Sequence, residues 1–221
     1  MRTVAIIPAR GGSKRLPNKN IKMLNGIPLI AHSINYARAN SAVIDEVYVT
    51  TDNETIKKVA LNYGAKVIDR PEELSGDLEP TVTALKHALT VLNNVETVVL
   101  LQPTNPLRPT SMLKEAYEIY CNNDFDSLFT VSRDHKKLGK INNNIYTPFN
   151  YKIGQRSQDL EPLFYENGLL YITNSSLINK GLIFNEASIP FVINHKFAEI
   201  DIDTQDDFNF ASFVLNNYNE D

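Results

Sequence analysis

Apolar residues in the first half of this chain follow two alternating rhythms. Short runs rich in β-branched residues, Thr3–Pro8, Val47–Thr51, Lys66–Ile68 and Thr97–Leu101, read as strands. Between and after them, Pro28–Ala39 (apolar at Leu29, Ile30, Ile34 and Ala37), Asn53–Asn62, Pro80–Leu92 and Ser111–Tyr120 carry a helical period. Strands alternating with helices predict an α/β fold, a doubly wound and mostly parallel sheet with helices on both faces. Such sheets bind ligands beyond the carboxyl ends of their strands.

After Asp126 the rhythm changes. Ser127–Val131 reads as a strand, and a polar, basic, Asn-rich stretch from Ser132 to Asp159 follows with little periodicity. It is read as an inserted arm, bounded at 132–165, that either covers the site or pairs with a second subunit. Strand patterns return at Gly168–Ile172, Pro190–Ile193 and Glu199–Ile202, and a final helix begins at Thr204. The expected organisation is one domain over 1–221.

Composition narrows the function classes. A formal charge of −4 excludes nucleic-acid binding by global charge. The single cysteine, Cys121, excludes an internal disulfide or a thiolate zinc site and fits a reducing compartment. No apolar run approaches the roughly 18 residues that span a bilayer. The N-terminal apolar run is too short for a signal-peptide core, so a cytoplasmic protein without a membrane partner is expected.

Against that acidic background, "ARGGSKRLPNKN" (Ala9–Asn20) concentrates Arg10, Lys14, Arg15 and Lys19 at the carboxyl end of the first strand. The pair Gly11-Gly12 allows unusual backbone angles and close approach. Successive N–H groups in such a turn can form an anion-binding nest, and the added cations suit a polyphosphate. The spacing matches neither the Walker A nor the GxGxxG pattern. Leu16 and Pro17 read as an apolar tuck and a fixed turn.

A second constellation is Glu199-Ile200-Asp201-Ile202-Asp203. On a strand, Asp201 and Asp203 share one face while Ile200 and Ile202 pack behind. Two carboxylates facing together suit Mg²⁺, which takes one or two carboxylates plus substrate phosphates. The spacing equally fits an edge strand facing water. Thr204 to Asp207 fits a helix capping box, leaving Asp206 and Asp207 as caps. In "LLQPTNPLRPT" (Leu100–Thr110) the prolines mark a sharp exit from the sheet. Gln102 and Arg108 are placed to reach that edge, and Gln102 is the functional choice. A phosphate grip with Mg²⁺ points to phosphoryl or nucleotidyl transfer; the base and acceptor stay open on these grounds.

Read together, "IIPARGGSKRLPNKN", "VTTDNETI", "DRPEELSGD", "LLQPTNPLR", "ENGLLYIT" and "EIDIDTQDDF" occur in the order seen in acylneuraminate cytidylyltransferases, the CMP-sialic acid synthetases. The resemblance runs from Ile6 to Phe208. It implies that CMP passes from CTP to the C2 hydroxyl of N-acylneuraminate or a close nonulosonate, with Mg²⁺ present and pyrophosphate released. It implies that Arg10, Gly11, Gly12, Ser13, Lys14, Lys19 and Asn20 hold CTP, with Arg70 and Thr81 around the nucleotide. Lys19, Arg10 and Asp203 take the catalytic places, Lys19 at the α-phosphate, and Asp201 and Asp203 hold the metal. Gln102, Arg156, Asn167, Tyr171 and Phe184 fall at the sugar. The same resemblance implies a homodimer with the Ser132–Asp159 arm crossing between subunits.

The chain departs from the pattern at "QRSQDLEP", where Ser157 stands in place of the second of two arginines, and at Tyr165, where arginine is common. Arg15 stands where many sialate members have glycine and where arginine is common in synthetases for pseudaminate-type sugars. Acceptors therefore range over sialate, legionaminate, pseudaminate and 3-deoxy-manno-octulosonate. A non-catalytic CTP-binding regulator and a metal-using glycosyltransferase are the readings from other classes.

Overall fold

Val4, Ala5, Ile6 and Ile7 are all fully buried, because the strand they form is covered on both faces. Around it a computed structural model describes residues 2–218, leaving Met1 and residues 219–221 outside the described residues. In chain order the elements are β1 (Thr3–Pro8), a hairpin of β2 (Met23–Leu24) and β3 (Ile27–Pro28), and α1 (Leu29–Ala39). Then come β4 (Glu46–Thr51), α2 (Glu54–Asn62), β5 (Lys66–Asp69), α3 (Thr81–Val91), β6 (Thr97–Leu100), α4 (Met112–Cys121) and β7 (Ser127–Asp134). The chain continues through β8 (Gly139–Asn142), β9 (Ile145–Pro148), β10 (Leu163–Asn174), α5 (Ser175–Asn179), β11 (Ile189–Val192) and α6 (Gln205–Asn217).

Seven strands make one sheet in the order β11-β7-β10-β6-β1-β4-β5. Every pairing is parallel except those of β10, which runs antiparallel to both β6 and β7. The α/β, mostly parallel expectation therefore holds. Alternation along β1 divides the core: Ala5 and Ile7 pack with α1, α2 and α4, while Val4 and Ile6 pack with α3 and α5. From β1 the chain winds first to β4 and β5, then crosses to β6 on the other side of β1. The topological switch, where ligand crevices open, thus lies between β1 and β6.

Most periodic elements fall within a residue or two of where the sequence places them, but the strand expected to end at Val131 runs on to Asp134. Ser132–Asp134 and Leu163–Tyr165, read as ends of the arm, therefore pair within the main sheet. Three other segments differ. Glu199–Ile202 is no strand: a 3-10 turn, Lys196–Glu199, leads into an extended segment outside the sheet. The strand expected at Gly168–Ile172 is the twelve-residue β10, which begins at Leu163 and shifts register against β7 between Glu166 and Tyr171. The arm contains the β8–β9 hairpin, closed by Asn143 and Asn144 with φ of 48° and 62°, the two left-handed positions of a type I′ turn. Its strands leave Ile141, Ile145, Tyr146 and nearby Phe149 exposed. Among the described residues no helix is long and apolar enough to cross a membrane.

Candidate active site

The loop after β1 is pinned before it turns: the Ala9 N–H donates to Thr50 O at 3.0 Å, and the Gly11 N–H to Asp52 Oδ1 at 2.9 Å. Gly11 is needed for close approach, since a Cβ there would stand 2.8 Å from Asn53 Nδ2. Neither Gly11 nor Gly12 adopts a left-handed φ, contrary to expectation; Asn18 does, at 57°. The expected nest of backbone donors is also reduced, because the Gly11 N–H is held by Asp52 and the Ser13 N–H by Gly11 O at 3.0 Å. Side chains supply the charge instead. Asn20, buried, donates to Arg10 O at 3.0 Å and braces the loop from behind, and Leu16 is buried as expected.

Arg10, Lys14, Arg15, Lys19 and Arg70 all line a cleft of about 510 Å³ over the carboxyl ends of β1, β5 and β6. Ser13, Asn20, Thr81, Gln102 and Asp203 share its wall. Two carboxylates hold the cations in place. Asp77 pairs with Lys14 and, at 3.2 Å, with Arg10, which also donates to Gly76 O at 2.6 Å. The Lys14 hydrogen bond, and then the charges of Lys14 and Arg10, keep Asp77 below the ordinary carboxylate range against some desolvation. Asp203 accepts from Lys19 Nζ and from Arg15 Nη1, each at 2.9 Å, and Lys19 donates also to Ile202 O at 2.7 Å.

Arg70 is buried at the cleft wall, with Asp52 4.0 Å from its Nη2. Its Nε and Nη2 find no hydrogen-bond acceptor among the described residues. Burial lowers its pKa, as does the nearby Arg10, while Asp52 opposes the shift. Buried guanidinium donors without acceptors, set among four further cations, are the chemistry of an anion or carbonyl-rich ligand.

A second cleft of about 370 Å³ adjoins the first and shares Gln102, Thr104 and Asp203 with it. Asp201, Glu166, Asn167 and Tyr171 complete its reactive lining, and no lysine or arginine is among its described lining residues. The acid pair does not reach it from a strand. Ile200 and Ile202 are buried in a third core cluster with Leu16 and, from α6, Phe208 and Val214. Burial of each isoleucine contributes about 1.5–3 kcal/mol to holding the segment. Asn105 Nδ2 donates to Ile200 O at 2.8 Å, and the Ile202 N–H donates to Thr104 O at 2.8 Å. The isoleucine-in, aspartate-out alternation survives because these bonds keep the segment extended. Downstream, Thr204 and Asp207 form the expected capping box of α6, and Asp207 also accepts from the Asp203 N–H at 3.0 Å. Desolvation, and then the Asp203 charge, hold the Asp201 carboxyl above its ordinary value despite a hydrogen bond from Thr104.

A family model described as Cytidylyltransferase matches residues 4–215 of this sequence. The chain belongs to the cytidylyltransferase family. Pseudaminic acid cytidylyltransferase of Campylobacter jejuni is 36% identical over 225 residues, covering 97% of this chain and 96% of that protein. N-acylneuraminate cytidylyltransferase of Streptococcus agalactiae is 35% identical over 218 residues, 94% of this chain, which spans about half (52%) of that longer protein. A solved CMP:2-keto-3-deoxy-manno-octonic acid synthetase, complexed with CTP, shares the fold at a TM-score of 0.76 and 16% identity, covering 98% of this chain and 99% of that one.

In this member of the family most of the residues expected at the nucleotide meet in the first cleft; Gly11 and Gly12 shape its loop from outside the lining. Gln102, Asn167, Tyr171, Asp201 and Asp203 meet in the second. Asn167 is largely spent on structure: its Nδ2 donates to Ser132 Oγ at 3.0 Å and its Oδ1 accepts from the Leu169 N–H at 3.1 Å, fixing the irregular turn in β10. Gly168 there has φ of 76°, and a Cβ would stand 2.9 Å from Asn105 Oδ1. Tyr171 is buried, and its hydroxyl donates to Glu166; burial, and then that carboxylate, raise its pKa. Two expected sugar contacts stand elsewhere. Phe184 stacks on Phe129 at 4.3 Å between centroids, behind Tyr171. Arg156 lies in the arm, 77% exposed and paired with Asp159 at 2.8 Å. Sequence reasoning missed Asp52, Asp77, Asn105 and Glu166, although each lies inside a quoted motif. For Asp52 and Asn105 the signal was a polar side chain soon after a strand's carboxyl end; Asp77 lies further on, between β5 and α3, and Glu166 inside β10 just before its register shift.

Proposed function

We propose that the protein transfers CMP from CTP to the C2 hydroxyl of a nonulosonic acid, releasing pyrophosphate. One observation carries this reading: the cation-lined cleft and the second cleft share the wall Gln102, Thr104 and Asp203, with Lys19 at the junction. A triphosphate gripped by Arg10, Lys14, Arg15 and Lys19 presents its α-phosphorus at that wall, and an acceptor in the second cleft meets it there. The new bond joins the acceptor oxygen to the α-phosphorus. The bond to the bridging oxygen of the β-phosphate breaks, pyrophosphate carries that electron pair away, and the hydroxyl proton is released. Lys19 meets the charge that develops on the α-phosphate oxygens, and the loop cations hold the leaving group. Arg70 and Thr81 also line this cleft, where the nucleoside would rest.

The residues present fit a divalent ion. Desolvation and Asp203 raise the Asp201 carboxyl, a strain that a shared cation relieves. Among the described residues no group of three or more His, Cys, Asp or Glu forms a metal site, so further oxygens must come from phosphate and water, as Mg²⁺ prefers. Asp201 and Asp203 would hold the ion, which supplies charge neutralisation at the phosphates.

The assay is pyrophosphate release with CTP and Mg²⁺ over N-acetylneuraminate, legionaminate, pseudaminate and 3-deoxy-manno-octulosonate. Turnover with one nine-carbon acid is the expected result. CTP binding without turnover on any acid would support the regulatory reading instead.

The arm supports a homodimer. Its hairpin exposes Ile141, Ile145 and Tyr146, and among the described residues no lysine or arginine lines the second cleft to meet an acid substrate. An arm reaching from a second copy covers the apolar side chains and brings Arg156 or a neighbouring cation to the acceptor. Ile141→Lys with Ile145→Lys is expected to shift sedimentation from dimer to monomer; a variant that sediments like the wild type removes the hairpin from the interface.

A further inference from the structure

Arg108 sits behind the acceptor cleft, 4% exposed, and each hydrogen bond described for it goes to a neutral oxygen. Nε donates to Leu169 O at 2.8 Å, Nη1 to Ser33 Oγ at 3.0 Å and Nη2 to Gln102 O at 3.0 Å, with the Tyr36 ring 5.6 Å from the guanidinium carbon. A buried cation without a carboxylate is costly, and an apolar side chain of similar volume packs there more cheaply. What the planar fork uniquely provides is a tie between three segments: α1, the exit from β6, and β10 beyond its irregular turn.

Two of those three segments form the acceptor floor. Gln102 and Gly168, the residue before Leu169, both line the second cleft. Their spacing is tight, with Gln102 Nε2 3.4 Å from Gly168 O and 3.2 Å from where a Cβ on Gly168 would stand. Burial holds the Arg108 pKa down at about 10, so the guanidinium remains charged at neutral pH. It therefore also places a positive charge beneath a cleft lined by Glu166, Asp201 and Asp203.

We propose that Arg108 is a positioning residue for the acceptor: it clamps the Gln102 backbone to β10 so that the Gln102 carboxamide and the Gly168 turn keep the spacing that recognises the acid. This rests on the transferase reading above. The test is steady-state kinetics of Arg108→Met and Arg108→Lys, with the acid that the wild type turns over and with CTP varied separately. Lysine retains the charge and much of the packing but cannot hold Leu169, Ser33 and Gln102 in one plane. Both variants are expected to raise KM for the acid about 10-fold or more, since small misplacements of positioning groups have effects of that order, while KM for CTP moves less than about 2-fold. Ser33→Ala, which loses only the tie to α1, is expected to lower Tm with the acid KM unchanged. A folded Arg108→Lys with an unaltered acid KM, or with both KM values rising together, overturns the proposal while leaving the transferase reading intact. A wild type silent on every acid overturns the transferase reading and this inference with it.

Discussion

Lys19→Ala is expected to lower kcat about 10²–10³-fold, the range measured when one preorganised donor to a developing oxyanion is removed. KM for CTP should change by only a few-fold. The two effects separate because of where Lys19 sits. Its side chain is 12% exposed, and its ammonium is fixed by Ile202 O at 2.7 Å and Asp203 at 2.9 Å, at the junction of the two clefts. A charge held in place and shielded from water gains most when negative charge grows beside it, and costs no reorganisation at that moment. On the proposed reading, binding of ground-state CTP is spread over Arg10, Lys14, Arg15 and Arg70, all of which line the same cleft. Lys14, 80% exposed, serves as the contrast: Lys14→Ala should raise KM for CTP with little change in kcat. Single-turnover kinetics at saturating CTP is the deciding measurement. An unchanged rate in Lys19→Ala would remove that residue from the chemistry.

How much of this was legible in the sequence follows from what each pattern can encode. The parallel strands were readable because burial on both faces leaves a run such as Val4–Ile7 with no polar position. Helices α1 to α4 were readable because their buried positions repeat with the helical period. Glu199–Ile202 has the alternation of a strand without being one, since side-chain period reports an extended backbone and not its partner. Here the partner is the Thr104-Asn105 turn. The short hairpin before α1 announces itself by Asn25-Gly26, with φ of 49° and 78°, a signal overlooked beside the denser charge pattern of the preceding loop.

The site residues divide the same way. Cations in an acidic chain stand out one by one, so Arg10, Lys14 and Lys19, which the fold gathers on one cleft, could be singled out as candidates. Asp52 and Asp77 were missed because their work is to hold those cations and the loop's backbone, a role visible only when distant segments meet. Arg108 was weighed as a ligand contact and set aside in favour of Gln102. The structure turns its fork inward, toward backbone oxygens that no linear pattern reveals.

Asp203→Asn is expected to produce two effects of opposite sign. The carboxylate is shared between a cation-pairing role, with Lys19 and Arg15 each at 2.9 Å, and the proposed metal role beside Asp201. Asparagine weakens both. Loss of the pairing frees Lys19 and Arg15 for phosphate, so binding of metal-free CTP, measured by calorimetry in EDTA, should tighten. Loss of a metal-ligand charge should raise the Mg²⁺ concentration for half-maximal turnover by at least the roughly 10–100-fold that loss of an outer-shell partner produces. A carboxylate that served only as a salt-bridge partner would give the first effect without the second, so tighter metal-free CTP with an unmoved Mg²⁺ titration would return Asp203 to a purely structural place. Asp206→Asn is the control. It alters an exposed acid in the first turn of α6, the helix that follows Asp203, outside the lining of both clefts, and should leave both measurements unchanged. Because Asp207 of α6 holds the backbone N–H at position 203, the segment keeps its anchor in Asp203→Asn.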